Sequence, residues 1–178
     1  MKTGDLTDLS RLKAILEERQ AISDEAVDTL GLLLASGLKR SDYDQTPENC
    51  VPFAYTGGDG VHFSFADSGE GISDSSPIVM TVPVQWSKPN SVVGRNLRDF
   101  LALGLRTGYF VLEGLQYDRD KWIKILSENR YLPGLNEMEI ESLRLIERRF
   151  GIEPWKHPEA HFSELEASFG YLTKPRAE

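Results

Sequence analysis

The chain has 178 residues, of which 40% are hydrophobic and 10% aromatic, enough apolar material for a core and too much for a chain disordered throughout. Its net charge of −8 disfavours nucleic acid and anionic lipid as partners. No apolar run approaches the roughly 18 residues of a membrane span. The amphipathic, acid-bearing N-terminus is unlike a secretory leader, and Cys50 stands alone, so the expected setting is the cytoplasm, with no membrane contact.

Taken in chain order, residues 6–20 read as a helix whose stripe is Leu6, Leu9, Leu12, Ile15 and Leu16. A second helix is predicted over 24–38, capped by Ser23 and ending near Gly37; its "LGLLLASGL" is apolar on most sides. Residues 41–52 read as loop. Val51, Phe53 and Tyr55, then Val61, Phe63 and Phe65, alternate with smaller residues and have the period of half-buried strands. A three-residue loop, Gly57-Gly58-Asp59, pairs Tyr55 with Val61, Phe53 with Phe63 and Val51 with Phe65. All six large residues then share one face. Residues 67–76 read as a flexible polar loop. "PIVMTVPV" reads as a third strand, with Ile78, Met80, Val82 and Val84 on one face and Pro83 at its end or on an edge.

"QWSKPNS" reads as a turn, and residues 94–106 carry Leu97, Phe100, Leu101 and Leu105 at helical spacing. "GYFVLEGL" is ambiguous between helix and strand. Further helices are predicted near 119–129, 136–150 and 158–169, with Pro158 in a first turn. Strands flanked by runs of helices predict an α+β fold: an antiparallel sheet of several strands flanked by helices. The division expected is an α+β core over 1–117 and a helical C-terminal region over 118–178, packed on the core or extending from it.

Few residues carry a chemical signature. The glycines of "FAYTGGDGVHFSFAD" lead into a strand and carry Asp59 with no nearby base, so they read as a hairpin turn and not as a phosphate loop. His157 and His161 have the i, i+4 spacing of a helix-borne metal pair but read as surface histidines, and His62 with Asp59 makes an incomplete ligand set. Cys50 lacks a catalytic signature and reads as a small, partly buried residue. Trp86, Trp122 and Trp155 read as packing residues. The "DSGEGISDSS" loop lacks the spacing of a calcium loop. No catalytic residue, metal site or cofactor is expected.

The charge is unevenly distributed. Between 41 and 87 the acids are Asp42, Asp44, Glu48, Asp59, Asp67, Glu70 and Asp74, with no Lys or Arg among them. Such a segment favours cations or a basic protein partner; the alternative is that acidic loops serve solubility.

"TPENCVPFAYTGGDGVHFSF", "PIVMTVPV" and "VVGRNLRDFLALG" together resemble the SUKH superfamily, which includes bacterial immunity proteins and fungal cell-wall-synthesis regulators. The likeness spans about residues 20–117. It implies helices packed on an antiparallel sheet and a non-enzymatic, protein-binding role, commonly the neutralisation of a cognate toxin such as a nuclease or deaminase. The seven acids above are the partner-facing candidates on the charge argument alone. The alternatives are a regulatory domain of the same fold with a non-toxin partner and an acidic, metal-dependent enzyme.

Overall fold

The structure, a computed structural model, describes residues 2–22, 29–128 and 130–174. Its centre is an antiparallel sheet in sequential order: β1 (Leu33–Leu34), β2 (Cys50–Tyr55), β3 (His62–Ala66), β4 (Ile78–Thr81) and β5 (Asn90–Gly94). Around it stand α1 (Thr7–Gln20), α2 (Leu97–Gly104), α3 (Gly114–Tyr117), α4 (Arg119–Ser127), α5 (Glu137–Phe150) and α6 (Pro158–Phe169). Single 3-10 turns cover Phe110–Glu113 and Gly170–Thr173. This is the expected α+β architecture. Among the described residues no helix is long and apolar enough to cross a membrane.

The β2–β3 hairpin departs from the predicted register at one point. At its base Val51 pairs with Phe65 as expected, but Phe53 forms a bulge, so Ala54 pairs with Phe63 and Tyr55 with His62. Two residues of β2 therefore oppose one of β3, and every side chain beyond the bulge changes face. Five of the six large residues are buried, whereas Tyr55 turns to the His62 side, with its ring 5.7 Å from the imidazole. The connection is also wider than three residues: the Thr56 N–H donates to the Val61 carbonyl at 3.0 Å and closes the loop at those positions.

One sheet face packs under α2. Phe100 lies against Phe63 at 4.7 Å, Phe53 at 5.8 Å and Tyr109 at 5.2 Å between ring centroids. Asn96 caps α2 by accepting from the Asp99 N–H at 2.8 Å. The opposite face carries His62, Ser64, Val79, Thr81, Asn90 and Val92, all buried. There Asn90 donates to the carbonyls of Gln45 and Thr173 at 2.9 and 3.1 Å, tying the 41–49 loop and the C-terminal turn over the sheet.

Three expectations change. Residues 24–28 of the predicted second helix lie outside the described residues, but 29–38 form a turn, β1 and a bend, not a helix. Gly31 adopts φ +73°, which an α-helix does not accommodate, and Leu30 spends its carbonyl on the Tyr109 N–H at 2.8 Å. β5 replaces what reads as turn and helix start, and α2 begins only at Leu97. Val84, expected on one strand face with Ile78, Met80 and Val82, stands exposed beyond the end of β4.

The C-terminal helices were the most legible. α5 opens with a complete capping box, Asn136 and Glu139 bonding each other's backbone, and closes on Gly151 in the left-handed region. Leu143, Ile146, Phe150, Phe162 and Leu165 join the same buried cluster as the sheet residues, and α6 packs on β5. The buried Arg19 of α1 reaches Ser142 of α5 at 3.0 Å and Glu141 at 3.2 Å.

Candidate protein-interaction surface

In an antiparallel meander, successive loops fall at alternate ends of the sheet. The seven candidate acids are divided accordingly. Asp59 sits on the β2–β3 loop, at the end where Tyr55 pairs with His62. Asp42 and Asp44 flank Tyr43, whose ring stacks on His62 with centroids 5.7 Å apart, and so belong to that same end. Glu48 precedes β2, and Asp67, Glu70 and Asp74 follow β3, at the opposite end; the Asp67 N–H donates to the Asn49 carbonyl at 2.7 Å.

Two acids of the second group are engaged internally. One Asp67 oxygen accepts from the N–H groups of Gly69 and Gly71 at 2.7 and 2.8 Å, and these bonds hold its pKa below the usual value. The Asp74 carboxylate accepts from the N–H groups of Asp8 and Leu9 at 2.6 and 3.0 Å. It thereby caps α1 from a distant loop, since Leu6 at the N-cap position makes no side-chain cap. The 67–76 segment is therefore bonded into the fold, with Ile72 fully buried, and not the free polar loop its composition predicts. Glu48 and Glu70 are exposed.

Around the hairpin tip three aromatic rings stand in solvent: Tyr43 is 41% exposed, Phe110 44% and Tyr117 53%. Tyr43 approaches the tip from the His62 face, packing against Gly60. Phe110 approaches from the α2 face, beside Gly58. Asp59 holds the positive φ of 48° that the turn requires. Its charge reaches Glu113 and Tyr117: burial and then Asp59 push the Glu113 carboxyl up, and burial, Glu113 and Asp59 push the Tyr117 phenol up. Burial, with Tyr43 and Asp42, does the same to Tyr55. Carboxylates and exposed rings thus share one end of the sheet. The exposed Trp86 stands on the β4–β5 turn at that end, contrary to its reading as a packing residue. Tyr43 was discoverable in "SDYD" as an aromatic between acids. Phe110, Glu113 and Tyr117 lie some fifty residues further on, with no sequence signal linking them to the tip.

His62 is fully buried in this arrangement. Its Nδ1 bonds the Gly60 carbonyl at 2.7 Å and its Nε2 faces the Thr46 hydroxyl at 3.0 Å. Burial lowers its pKa from the ordinary 6.5, outweighing the Gly60 bond. In the unfolded chain the imidazole takes a proton near 6.5 while the folded one resists. The unfolded state then binds more protons, so stability is complete above that pH and declines as pH falls below it. Urea midpoints measured from pH 7.5 down to about 5.5, above the main carboxylate range, should fall more steeply in the native protein than in His62→Gln. A native midpoint that rises on acidification would contradict this role.

The remaining candidate chemistry is structural in form. His157 is exposed at the N-cap of α6, but His161 turns inward to Asp99 at 2.9 Å and stacks on Trp155 at 3.7 Å, which corrects its reading as a surface residue. The Trp155 indole N–H donates to the Asp99 carbonyl at 2.9 Å, so this cluster fastens α6 to the start of α2. Cys50 is buried, and burial pushes its thiol up to about 12, away from the thiolate that nucleophilic or metal chemistry needs. Among the described residues no group of three or more His, Cys, Asp or Glu side chains is placed to hold a metal ion.

The fold is α+β, an antiparallel sheet with helices around it. No protein-family model matches the chain, and comparison with curated proteins and with solved structures finds no match either.

Proposed function

We propose that the chain is a non-enzymatic protein-binding domain of the immunity type, which neutralises a toxin by placing an acidic surface over its basic, nucleic-acid-binding cleft. The observation that carries this reading is the convergence of Asp42, Asp44 and Asp59 with Glu113 at one end of the sheet, beside exposed aromatic rings. Carboxylates at the edge and large exposed rings are features of a surface that steers a basic partner and then holds it. The resemblance of residues 20–117 to SUKH proteins supports the same reading.

The test is capture at low salt of a basic protein whose toxic activity the chain suppresses. Charge reversal of Asp42, Asp44 and Asp59 together should slow association at least about tenfold and flatten its salt dependence. Reversal of the exposed Glu48 and Glu70, at the other end, should leave association within about twofold. Equal losses from both sets would remove the hairpin end as the binding surface. Capture of a specific partner without toxic activity would favour the regulatory reading of the same surface.

A further inference from the structure

We propose that the hairpin end reads arginine: it is a docking surface for a partner segment that presents guanidinium groups to the rings of Tyr43, Phe110 and Tyr117 and to the carboxylates of Asp42, Asp59 and Glu113. This rests on the protein-binding reading above and names the chemistry of the partner. A ring face attracts a cation, and a carboxylate beside it adds charge and a hydrogen-bond acceptor. Guanidinium satisfies both at once, because its plane stacks on the ring while its edge donates in pairs. An ammonium is a compact, strongly hydrated point charge and loses more on leaving water.

The chain uses the same contact internally. Arg11 and Arg98 lie over Phe150 at 5.6 and 5.7 Å, Arg106 and Arg144 over Tyr131 at 4.9 and 5.5 Å, and Arg119 over Phe162 at 5.0 Å. Among the described residues, Tyr43, Phe110 and Tyr117 have no such cation, although they are large and exposed, Tyr43 lies between Asp42 and Asp44, and Tyr117 feels Glu113 and Asp59. The carboxylates oppose a phosphate-bearing ligand, so a basic protein segment fits where nucleic acid or anionic lipid does not. The neighbouring cations do not fill the site: Lys88 lines a shallow cleft with Arg119, Ser163 and Glu166 beside α6, and Lys39 and Arg40 are exposed on the chain leading to Asp42.

The probes are oligo-arginine and oligo-lysine peptides of equal length, titrated into the isotope-labelled protein and followed by amide chemical shifts. The arginine peptide should bind about fivefold more tightly, as exposed cation–ring contacts imply. Its shifts should centre on Tyr43, Gly58, Asp59, Phe110 and Tyr117. Tyr43→Ser with Tyr117→Ser should abolish the preference and leave weaker, salt-sensitive binding of both peptides, with amide shifts away from the hairpin end at their native positions showing that the fold is intact. Equal affinities, shifts centred on Glu48 and Glu70, or no binding would each overturn the assignment. Equal affinities together with capture of a basic toxin would remove the arginine reading and leave the proposed function standing. An arginine preference without any captured toxin would do the reverse.

Discussion

Replacing Phe100 with alanine is expected to cost about 3–5 kcal/mol, a large share of what a domain of this size has to lose. The ring is fully buried at the junction of helix and sheet, against Phe53, Phe63 and Tyr109. Truncation removes its transfer free energy and also leaves a cavity between rigid rings. That cavity cannot collapse easily: the α2 backbone at Phe100 already runs so close to Gly94 that a methyl group built there would lie 2.7 Å from the Phe100 nitrogen. Phe100→Leu keeps most of the volume and should cost about 1–1.5 kcal/mol. Urea denaturation of the three proteins checks the order. A loss under about 1 kcal/mol for the alanine variant would show that Phe100 is not the centre of this core.

The second large effect is expected at Gly31. Its φ of +73° disfavours any residue with a Cβ, and a methyl group there would lie 2.2 Å from the Phe110 nitrogen and 2.4 Å from its Cα. Phe110 has little room to retreat, because its own N–H and that of Tyr109 both donate to the Leu30 carbonyl, at 3.3 and 2.8 Å. Gly31→Ala therefore combines about 1 kcal/mol of backbone strain with a backbone collision, for a loss of about 3 kcal/mol or more. Gly151 separates the two causes. It has φ +60° at the end of α5 and open space where a Cβ would go, so Gly151→Ala should show the strain alone. Equal losses at the two glycines would remove the collision as a cause. Because the Leu30–Phe110 contact also sets Phe110 beside the hairpin tip, Gly31→Ala should weaken partner binding as well as the fold.

Much of the molecule was legible because the signals were local. The last three long helices were legible because their signals are local: Pro158 suits a first turn wherever the helix sits, and the structure adds equally local ends at Asn136 with Glu139 and at Gly151. The hairpin could be read because its glycines and Asp59 meet a conformational demand within the turn itself. The net negative charge and its concentration between residues 41 and 87 needed only counting.

What the tertiary structure alone decided is where those pieces point. "LGLLLASGL" is apolar enough for either a buried helix or a strand; its Leu33 and Leu34 became β1 because the edge of β2 offered hydrogen bonds there. β5 went unread because Asn90, Ser91, Val92, Val93 and Gly94 show no polar–apolar alternation and open on turn-forming residues. One extra residue at Phe53 moved Tyr55 to the other face, a shift that composition does not encode. Acids that are neighbours in sequence were separated by the alternation of antiparallel loops, Asp59 to one end and Asp67 to the other. Asp74 was drawn away to cap α1, while Tyr43, Phe110 and Tyr117 were gathered from distant positions. Propensity, capping and turn chemistry act over a few residues and are written in the sequence; a surface is assembled by packing across many, so only the folded chain brings it into being.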